Sequence, residues 1–377
     1  MLATAGAGGD LPPLIAAGLA LRARGHELRF VGDGSVAGSL RSLDVQGRVL
    51  PPEVDLGPRM IGAIREGMAA SGGDLAAAGP VLQERMTEWA SDTARPVADA
   101  LLEFRPDLVM TSLFGVEVLD VVSPSCPWVV VNSTFYVGPG APRPLEQDFG
   151  PRALPLISHY GTLLEAADLV LHATDQVFDL GFDELPPKHV YVGPLGIWEP
   201  PSEVPDYIGA PGAPWVLVTI SSQLQDDLPL AEAALVALAD KPVRVILTVG
   251  PDHEPNEVEA PRNARVERTV SHAAALEGGT LLVSHAGHGS VMKALWHGRP
   301  MVLVPWGRDQ PGVAARAEAL GVARIVPREL ATGEALAAAI DSTLQDQTMH
   351  EAATDHRHRL RATDPPAAAA SLLEILL

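Results

Sequence analysis

The sequence predicts an α/β protein with parallel sheets, divided into two domains. Short β-branched runs alternate along the chain with stretches rich in alanine and leucine, which is the pattern of repeated βαβ units. The length of 377 residues exceeds the size at which a single core usually stops growing, about 250 to 300 residues. With 47% hydrophobic and 20% charged residues, the chain has enough apolar material for two packed interiors.

Eight segments have the sequence character of buried parallel strands, because they are apolar on both faces. Half of them lie in the first part of the chain and half in the second, and helices are predicted between them. The segments are residues 26–32, 106–112, 127–133, 167–173, 214–220, 243–250, 280–287 and 300–305.

A proline-rich segment separates the two series of predicted strands. Residues 197–214 contain five prolines, which favour neither helix nor sheet, and this composition is typical of an interdomain linker. We therefore predict one domain over residues 1–204, a second over 205–360, and a short helix within residues 361–377. The apolar residues of that helix, Leu372, Leu373 and Leu376, are expected to be buried against another part of the chain.

Residues 51–96 have no strand signal and carry apolar side chains at mostly helical spacing. Two interpretations remain open for this segment. The first is a helix packed against the core, which the spacing favours, and the second is a lid that lines a small-molecule site. The residues concerned are Met60, Ile61, Ile64, Met68, Met86 and Trp89.

Charge and composition exclude several classes of protein. Acidic residues outnumber basic ones 47 to 27, and the net charge of −20 repels a phosphate backbone, so nucleic acid is not expected as a partner. The single cysteine, Cys126, excludes an internal disulfide. No apolar run approaches the roughly 18 residues needed to span a bilayer, and the first residues lack the features of a signal peptide. We therefore expect a cytoplasmic enzyme without a membrane partner.

The clearest chemical signal is a glycine-rich turn between a predicted strand and a helix. The strand ends at Ser284, and the sequence HAGHGS then leads into a helix that runs to Leu295 or Trp296. Glycines let a backbone approach a ligand closely, and the first turn of a helix presents unpaired N–H groups with a partial positive charge. This arrangement predicts a diphosphate site with further donors from His285 and Ser290. A tight turn without any ligand is the alternative interpretation.

Two polar residues, Asp309 and Gln310, follow the next predicted strand. Because the carboxyl ends of neighbouring parallel strands meet at one edge of the sheet, their side chains are expected beside the bound phosphates, where they can hold hydroxyl groups. A diphosphate next to hydroxyls indicates a nucleotide sugar. For Asp309 alone, capping of the helix that follows Pro311 is the alternative.

These motifs resemble the donor-binding signature of family 1 glycosyltransferases with the GT-B fold, in particular the actinobacterial branch that decorates macrolides and aromatic polyketides. The resemblance covers nearly the whole chain and is carried by residues 285–321, with further similarity at 6–32, 215–227 and 262–276. It implies two facing Rossmann-like domains, with the acceptor bound by residues 1–204, the donor by 205–360, and the last helix returning to the first domain. It also implies an inverting transfer without a metal or other cofactor.

The resemblance implies roles for individual donor-site residues. A TDP-deoxysugar and a UDP-hexose remain open as donors. Asp309 and Gln310 would bind the sugar, and the backbone near Val270 would bind the base. Two positions depart from the family pattern: Lys293 stands where many relatives have an acidic residue for the ribose, and Thr269 where plant members have a tryptophan. The residues that would hold the diphosphate are Ser222, His285, Gly287, His288, Gly289 and Ser290.

Asp10 is predicted to be the general base of the transfer. Many family members have a histidine at this place, oriented by an aspartate at the end of a later strand, where this chain has Ser112. An aspartate in place of the histidine is consistent with a serine in place of its partner, because a carboxylate that becomes neutral on accepting a proton needs no anionic partner. An unperturbed aspartate, with a pKa of about 3.9, is a weak base, which favours a phenolic acceptor over an aliphatic alcohol. The alternatives are that Asp10 only caps the helix beginning near Leu11, or that Glu117 or Asp120 replaces the missing partner.

The predicted function is transfer of a sugar to a hydrophobic natural product, as in antibiotic biosynthesis. Attachment through O, N or C remains open, as does a homodimer. A second hypothesis is a catalytically silent glycosyltransferase-like protein that helps another enzyme, which the altered pair at Asp10 and Ser112 would suit. A nucleotide-sugar epimerase is less well supported, because few carboxylates and histidines are expected around the sugar. The residues expected to contact the acceptor are Phe114, Phe135, Tyr136, Met60 and Trp89.

Overall fold

The computed structural model describes residues 1–4, 8–70, 79–150, 153–222 and 225–377. The chain forms two compact units: Met1–Trp198 together with Asp364–Leu377, and Glu199–Thr363. The first boundary falls inside the proline-rich segment, between Trp198 and Glu199, whereas the sequence predicted it after residue 204. Trp198 packs against the core of the first unit, and Glu199 bonds to Ser271 of the second. The last segment begins at Asp364, where the sequence predicted residue 361.

Parallel strands form the centre of the first unit. They are β1 (Leu2–Thr4), β2 (Arg29–Gly32), β3 (Gln46–Val49), β4 (Val109–Ser112), β5 (Trp128–Asn132), β6 (Leu169–His172) and β7 (His189–Tyr191). Their order across the sheet is β3-β2-β1-β4-β5-β6-β7, so the direction in which the chain adds strands reverses between β1 and β4. Leu2 of β1 is in register with Phe30 on one side and with Met110 on the other.

Helices connect these strands, as the βαβ pattern predicts. They are α1 (Leu11–Ala23), α2 (Gly34–Arg41), α3 (Leu56–Ala70), α4 (Gly79–Phe104), α5 (Val116–Val122), α6 (Leu145–Phe149) and α7 (Leu154–Leu163). The segment predicted to pack against the core is helical in α3 and α4, and its Met86 and Trp89 are buried. The indole Nε1 of Trp89 donates to the backbone oxygen of Val54 at 2.8 Å. The side chains of Ile64 and Met68 lie outside the described residues.

The second unit is built around another parallel sheet. Its strands are β8 (Trp215–Thr219), β9 (Arg244–Thr248), β10 (Ala264–Glu267), β11 (Gly279–Ser284), β12 (Met301–Leu303) and β13 (Ala323–Ile325). Their order is β10-β9-β8-β11-β12-β13. Its helices are α8 (Asp206–Gly209), α9 (Leu228–Leu238), α10 (His272–Glu277), α11 (His288–His297), α12 (Gln310–Ala319), α13 (Gly333–Gln345) and α14 (Gln347–Arg361).

The predicted α/β class with parallel sheets is confirmed, and each of the eight predicted strands is present. Five of the described strands lie outside the eight predicted segments: β3, β7, β10 and β13 are the outermost strands of the two sheets, and β1 is a central strand of only three residues. An outermost strand has a neighbour on one side only, and β3 is largely exposed. A search for segments that are apolar on both faces therefore finds the central strands and overlooks the edges.

The final helix, α15 (Pro365–Glu374), belongs to the first unit, where it packs on α1. Leu373 is fully buried in the hydrophobic core of that unit, and Leu372 and Leu376 pack against the same core. Glu374 also accepts a hydrogen bond from Nη1 of Arg24 at 2.6 Å. The return of this helix to the first domain is as predicted. Within the described residues, no helix is both long enough and apolar enough to cross a membrane.

Replacing Leu373 by alanine should destabilise the first unit by about 2 to 5 kcal/mol, because it leaves a cavity in a packed core. Ile375 provides a matched control on the same segment, since its side chain is 78% exposed. Ile375→Ala should change the free energy of unfolding by less than about 0.5 kcal/mol. Urea unfolding of both variants measures the difference, and equal effects would contradict the observed packing of α15.

Candidate functional site

The carboxyl ends of β8 and β11 are neighbours in the second sheet, at the point where the strand order reverses. In parallel sheets with this order of strands, nucleotides bind in the crevice outside this point. Thr219 at the end of β8 is in register with Ser284 at the end of β11. The glycine-rich turn predicted from the sequence begins directly after Ser284, so the structure places it at this crevice.

Helix α11 begins at His288, with Gly287 as its N-cap residue. The backbone angles of Gly287, φ −61° and ψ 134°, are ordinary for any residue. A Cβ atom at this position, however, would lie only 2.6 Å from Nε2 of His285. Glycine is therefore required because the imidazole occupies the space of a side chain. The same closeness puts Nε2 against the start of α11, where first-turn N–H groups carry a partial positive charge.

His285 is buried, and its Nδ1 lies 3.3 Å from the backbone oxygen of Thr219. Because a carbonyl only accepts, Nδ1 carries the proton, and in the neutral ring Nε2 has none. Burial lowers the pKa of His285, while the carboxylate of Asp227 raises it and the charge of Arg308 lowers it further. An anion at the start of α11 would favour the protonated ring, and Nε2 could then donate to that anion.

The other residues in the first turn of α11 differ in exposure. The side chain of His288 is buried, and burial, with Arg316 nearby, lowers its pKa to about 3, so the ring is neutral at pH 7. A buried neutral ring leaves the backbone N–H as the group that His288 can offer to a ligand. Ser290 is only half-buried, and a hydroxyl at the third position of a helix lies close to an anion bound at its start.

The loop after β8 completes this side of the crevice. The backbone N–H of Ser221 donates to Oδ2 of the buried Asp227 at 2.8 Å, which fixes the path of the loop. Gly250 passes so close that a Cβ atom there would lie 2.9 Å from the backbone oxygen of Ser221, and its φ of 77° also favours glycine. Ser222 follows on this loop and is exposed. Among the residues that the structure describes, no group of three or more His, Cys, Asp or Glu side chains could hold a metal ion.

Asp309 and Gln310 lie in the turn between β12 and α12, at the same edge of the sheet. Gln310 is buried, and its Oε1 accepts from the backbone N–H groups of Trp306 at 2.8 Å and Gly307 at 3.0 Å. Its amide also pairs reciprocally with that of Gln225, at 2.8 and 2.9 Å. Gln310 therefore holds the turn that carries Asp309, and its predicted contact with the sugar stays a prediction.

Asp309 occupies the N-cap position of α12, yet its side chain makes no cap hydrogen bond to the described helix. The capping alternative raised by the sequence is thus not supported by the geometry. Beside it lies Arg308, which the sequence analysis did not single out. Its Nη1 donates to Oγ of Ser221 at 3.4 Å, so a cation joins the ends of β12 and β8 at the crevice.

A carboxylate missed by the sequence analysis lies next to Lys293. Oε1 of Glu199 is 3.0 Å from Nζ of Lys293, and Glu199 also accepts from Oγ of Ser271 at 2.8 Å and from the backbone N–H of His272 at 3.1 Å. Burial tends to raise the pKa of Glu199, but Lys293 and these donors hold it below its usual value. Val270, predicted to bind the base, is partly exposed just before Ser271. Many members of the resembled family have an acidic residue at the position of Lys293. In this chain, Glu199 brings a carboxylate next to that lysine from a distant part of the sequence.

Asp10 stands between β1 and α1, at the reversal point of the first sheet. It occupies the N-cap position, but its side chain makes no cap hydrogen bond to the described residues of α1. Instead, Oδ1 of Asp10 accepts a hydrogen bond from Oγ of Ser133, the residue that follows β5. Asp10 therefore has a hydroxyl among its partners. No sequence pattern points to Ser133, because it is an ordinary loop serine.

The residues that the sequence analysis considered as partners of Asp10 differ in burial and in hydrogen bonding. Ser112, at the end of β4, is fully buried, and Asp120 is exposed on α5. Glu117 is buried, and its Oε1 accepts from Oγ1 of Thr87 at 2.6 Å. Burial, together with the charges of Glu117 and Asp10, raises the pKa of Tyr160 above its usual value.

The five residues predicted to contact an acceptor are not equally accessible. Trp89, Phe135 and Tyr136 are fully buried, and Oη of Tyr136 donates to the backbone oxygen of Pro139 at 3.0 Å. Phe114 and Met60 are only half-buried. The acceptor roles of all five stay predictions. A cavity of about 350 Å³ is lined by the loop at residues 137–145, which follows Ser133 in the sequence, and by Ser158, Gly161 and Thr162 of α7.

A chain of buried hydrogen bonds supports the loop that carries Ser133. Nδ2 of Asn132 donates to the backbone oxygen of Phe135 at 2.8 Å and lies 3.0 Å from Nδ1 of His172. Nε2 of His172 is in turn 3.0 Å from Nδ1 of His189. Burial, helped by His189, lowers the pKa of His172 to about 3. Both rings are therefore part of the packed interior, and His172 stays neutral at pH 7.

Part of the chain matches a known protein family. Residues 232–376 match the family described as erythromycin biosynthesis protein CIII-like, C-terminal domain. The match covers less than half of the chain. The matched segment contains every predicted donor-site residue except Ser222.

Relatives extend the likeness to the whole chain. The O-mycaminosyltylonolide 6-deoxyallosyltransferase of Streptomyces fradiae is 26% identical over 92% of this chain and 90% of its own length. The crystal structure of the glycotransferase of kitacinnamycin has a TM-score of 0.74 and 22% identity, covering 100% of this chain and 98% of that one.

Spinosyn rhamnosyltransferase SpnG is similar over 99% of both chains, in a complex with thymidine diphosphate (TM-score 0.70, 19% identity) and in one with spinosyn aglycone (TM-score 0.68, 20% identity). The chain thus has the GT-B fold predicted from the sequence, and the relatives named above are glycosyltransferases.

Acid should destabilise the fold through His172. An unfolded histidine titrates near pH 6.5, whereas His172 in the folded protein has a pKa of about 3, so below pH 6.5 the unfolded state binds more protons. Stability should therefore fall by about 1.4 kcal/mol per pH unit for this group as the pH drops below 6.5. His172→Gln removes this contribution. The difference in unfolding free energy between wild type and variant should shrink by about 2 kcal/mol between pH 7.5 and pH 5. A constant difference in urea titrations would contradict the assignment.

Proposed function

We propose that this protein transfers a sugar from a nucleoside diphosphate to a hydrophobic small molecule, with inversion and without a metal ion. The observation that carries the proposal is the contact of His285 with Gly287 at the start of α11, in the crevice where β8 and β11 end. This contact places a helix start and an imidazole together, which makes a local anion site in a chain whose net charge is −20.

In this proposal the second unit holds the donor. Its diphosphate binds against the first turn of α11, accepting from the backbone N–H groups and from the hydroxyls of Ser222 and Ser290. His285 takes up a proton at Nε2 and donates as well. The backbone near Val270 binds the base and Asp309 the sugar hydroxyls. The positive end of α11 stabilises the negative charge that grows on the diphosphate as it leaves.

The first unit binds the acceptor and supplies the base. Asp10 accepts the proton of the acceptor's nucleophilic group, which attacks the anomeric carbon while the bond from that carbon to the diphosphate oxygen breaks. One displacement inverts the configuration at that carbon. Because Ser133 is a neutral hydrogen-bond donor to Asp10, it can hold the carboxylate in place without repelling it. A second carboxylate at the position of Ser112 would oppose ionisation of Asp10.

The names of relatives support the choice of substrates. One relative is named for transfer to O-mycaminosyltylonolide, and SpnG was solved with thymidine diphosphate and with a spinosyn aglycone. We infer a TDP- or UDP-linked sugar and a natural-product acceptor for this chain. The limited strength of an aspartate base favours a phenolic group on that acceptor.

Wild-type protein should bind UDP or TDP and should melt at a higher temperature in its presence, because binding to the folded state alone stabilises it. Gly287→Ala should weaken this binding by about tenfold or more, since the new Cβ lies 2.6 Å from Nε2 of His285 and must displace the imidazole. Gly209→Ala is the control in the same unit, because a Cβ there meets nothing within 4 Å. Titration calorimetry measures all three proteins. Absence of binding by wild type, or equal binding by both variants, would contradict the donor site.

Asp10→Asn should lower the rate of sugar transfer by about 10²- to 10⁴-fold, the usual contribution of a general base, and should leave nucleoside diphosphate binding unchanged. The matched control is Asp120→Asn, which alters an exposed carboxylate on α5 and should transfer normally. The assay combines UDP- and TDP-sugars with a panel of phenolic and macrolide acceptors, and mass spectrometry detects the products. A wild-type rate of sugar transfer by Asp10→Asn would contradict the role of Asp10 as the general base. Binding without any transfer by wild type would favour the silent helper.

A further inference from the structure

Arg308 is a cation at the crevice to which the sequence motifs assign no role. It lies in the turn between β12 and α12, and its Nη1 donates to Oγ of Ser221 at 3.4 Å. Ser221 belongs to the loop after β8, whose path is fixed by the bond from its backbone N–H to Asp227. The guanidinium therefore extends from the end of one strand to the loop after another, across the carboxyl edge of the second sheet.

The same guanidinium is close to the imidazole that lies against the start of α11. Its positive charge is one of the causes that lower the pKa of His285, and such an influence requires proximity. Arg308 is thus close to His285, whose Nε2 lies against the first turn of α11. The guanidinium and the helix start both favour negative charge there.

The backbone of Arg308 is unusual. Its φ is 59°, in the left-handed region, which is unfavourable for a residue with a Cβ atom. The turn is held in this shape by Gln310, whose Oε1 accepts from the backbone N–H groups of Trp306 and Gly307. Glycine would adopt the same angle without cost, so the shape of the turn does not explain an arginine. The explanation has to lie in what the side chain does.

The charges around the crevice call for a cation. Asp227 is buried beside His285, Asp309 is the next residue in the turn, and the whole chain has a net charge of −20. A diphosphate would enter this environment against repulsion unless a positive group faces it. A guanidinium is suited to this task, because its planar set of N–H donors matches the oxygen atoms of a phosphate.

We propose that Arg308 binds the diphosphate of the donor and stabilises it as it leaves, which rests on the proposed function. The hydroxyl of Ser221 holds the guanidinium in place until a phosphate oxygen takes over as the stronger acceptor. Arg308 then contributes positive charge at the leaving group, in addition to the helix start and His285.

The test compares wild type, Arg308→Gly and Arg308→Lys by titration calorimetry with UDP and TDP, and with UMP and TMP. Arg308→Gly should weaken UDP or TDP binding by about 10- to 100-fold, the usual effect of losing hydrogen bonds to a charged group. Binding of the monophosphates should change much less. The affinity of Arg308→Lys for UDP or TDP should lie between those of wild type and Arg308→Gly, because lysine keeps the charge and loses the planar donors. The melting temperature of Arg308→Gly should equal or exceed that of wild type, since glycine relieves the left-handed backbone.

The control is Arg262→Gly, which removes an equal charge from an exposed position in the same unit and should bind like wild type. Unchanged affinity of Arg308→Gly for both diphosphates would overturn the proposal. So would a fall in affinity seen only with UDP-glucose or TDP-glucose, because the arginine would then serve the sugar. A large drop in the melting temperature of Arg308→Gly would assign the side chain a structural role instead. If wild type binds neither UDP nor TDP, the proposed function fails first, and this inference fails with it.

Discussion

The donor site depends on one close approach, in which the imidazole of His285 occupies the space that a side chain at residue 287 would fill. The approach needs a glycine at that residue and a helix that begins at the next one. It also needs β8 and β11 to end side by side, so that Thr219 can accept the hydrogen bond of Nδ1. A parallel sheet with its reversal between these strands meets the last condition, which ties the local chemistry of the turn to the topology of the whole unit.

An acidic chain can hold an anion only if the acids near the site are neutralised. Two carboxylates of the second unit have polar partners, because the buried Asp227 accepts from the backbone N–H of Ser221 and the half-buried Glu199 pairs with Lys293. The helix start and Arg308 add positive charge at the carboxyl edge of the same sheet. Net charge describes solubility and long-range attraction, whereas a bound phosphate responds to groups within a few ångströms.

Two aspartates, Asp10 and Asp309, illustrate a question that sequence reasoning left open. Both precede a helix, and capping was a reasonable alternative for each. Asp33, which caps α2, has an extended backbone with ψ of 179°, and its side chain accepts from the backbone N–H of Val36. Asp10 and Asp309 instead have ψ of −27° and −5°, in the helical region, and neither side chain caps its described helix. Capping therefore does not explain either aspartate, and their functional roles stay predictions.

By itself, the sequence determined the parallel α/β class, the central strands, the glycine-rich turn and the helix after it. These follow from local properties, since a strand buried on both faces must be apolar throughout and a close approach requires glycine. Only the tertiary structure decided which side chains meet: Ser133 with Asp10, Glu199 with Lys293, and Arg308 with Ser221. The edge strands also emerged only there. Partners such as Ser133 and Asp10 lie 123 residues apart, and no local pattern encodes such a pairing, because the order of strands in the sheet brings them together.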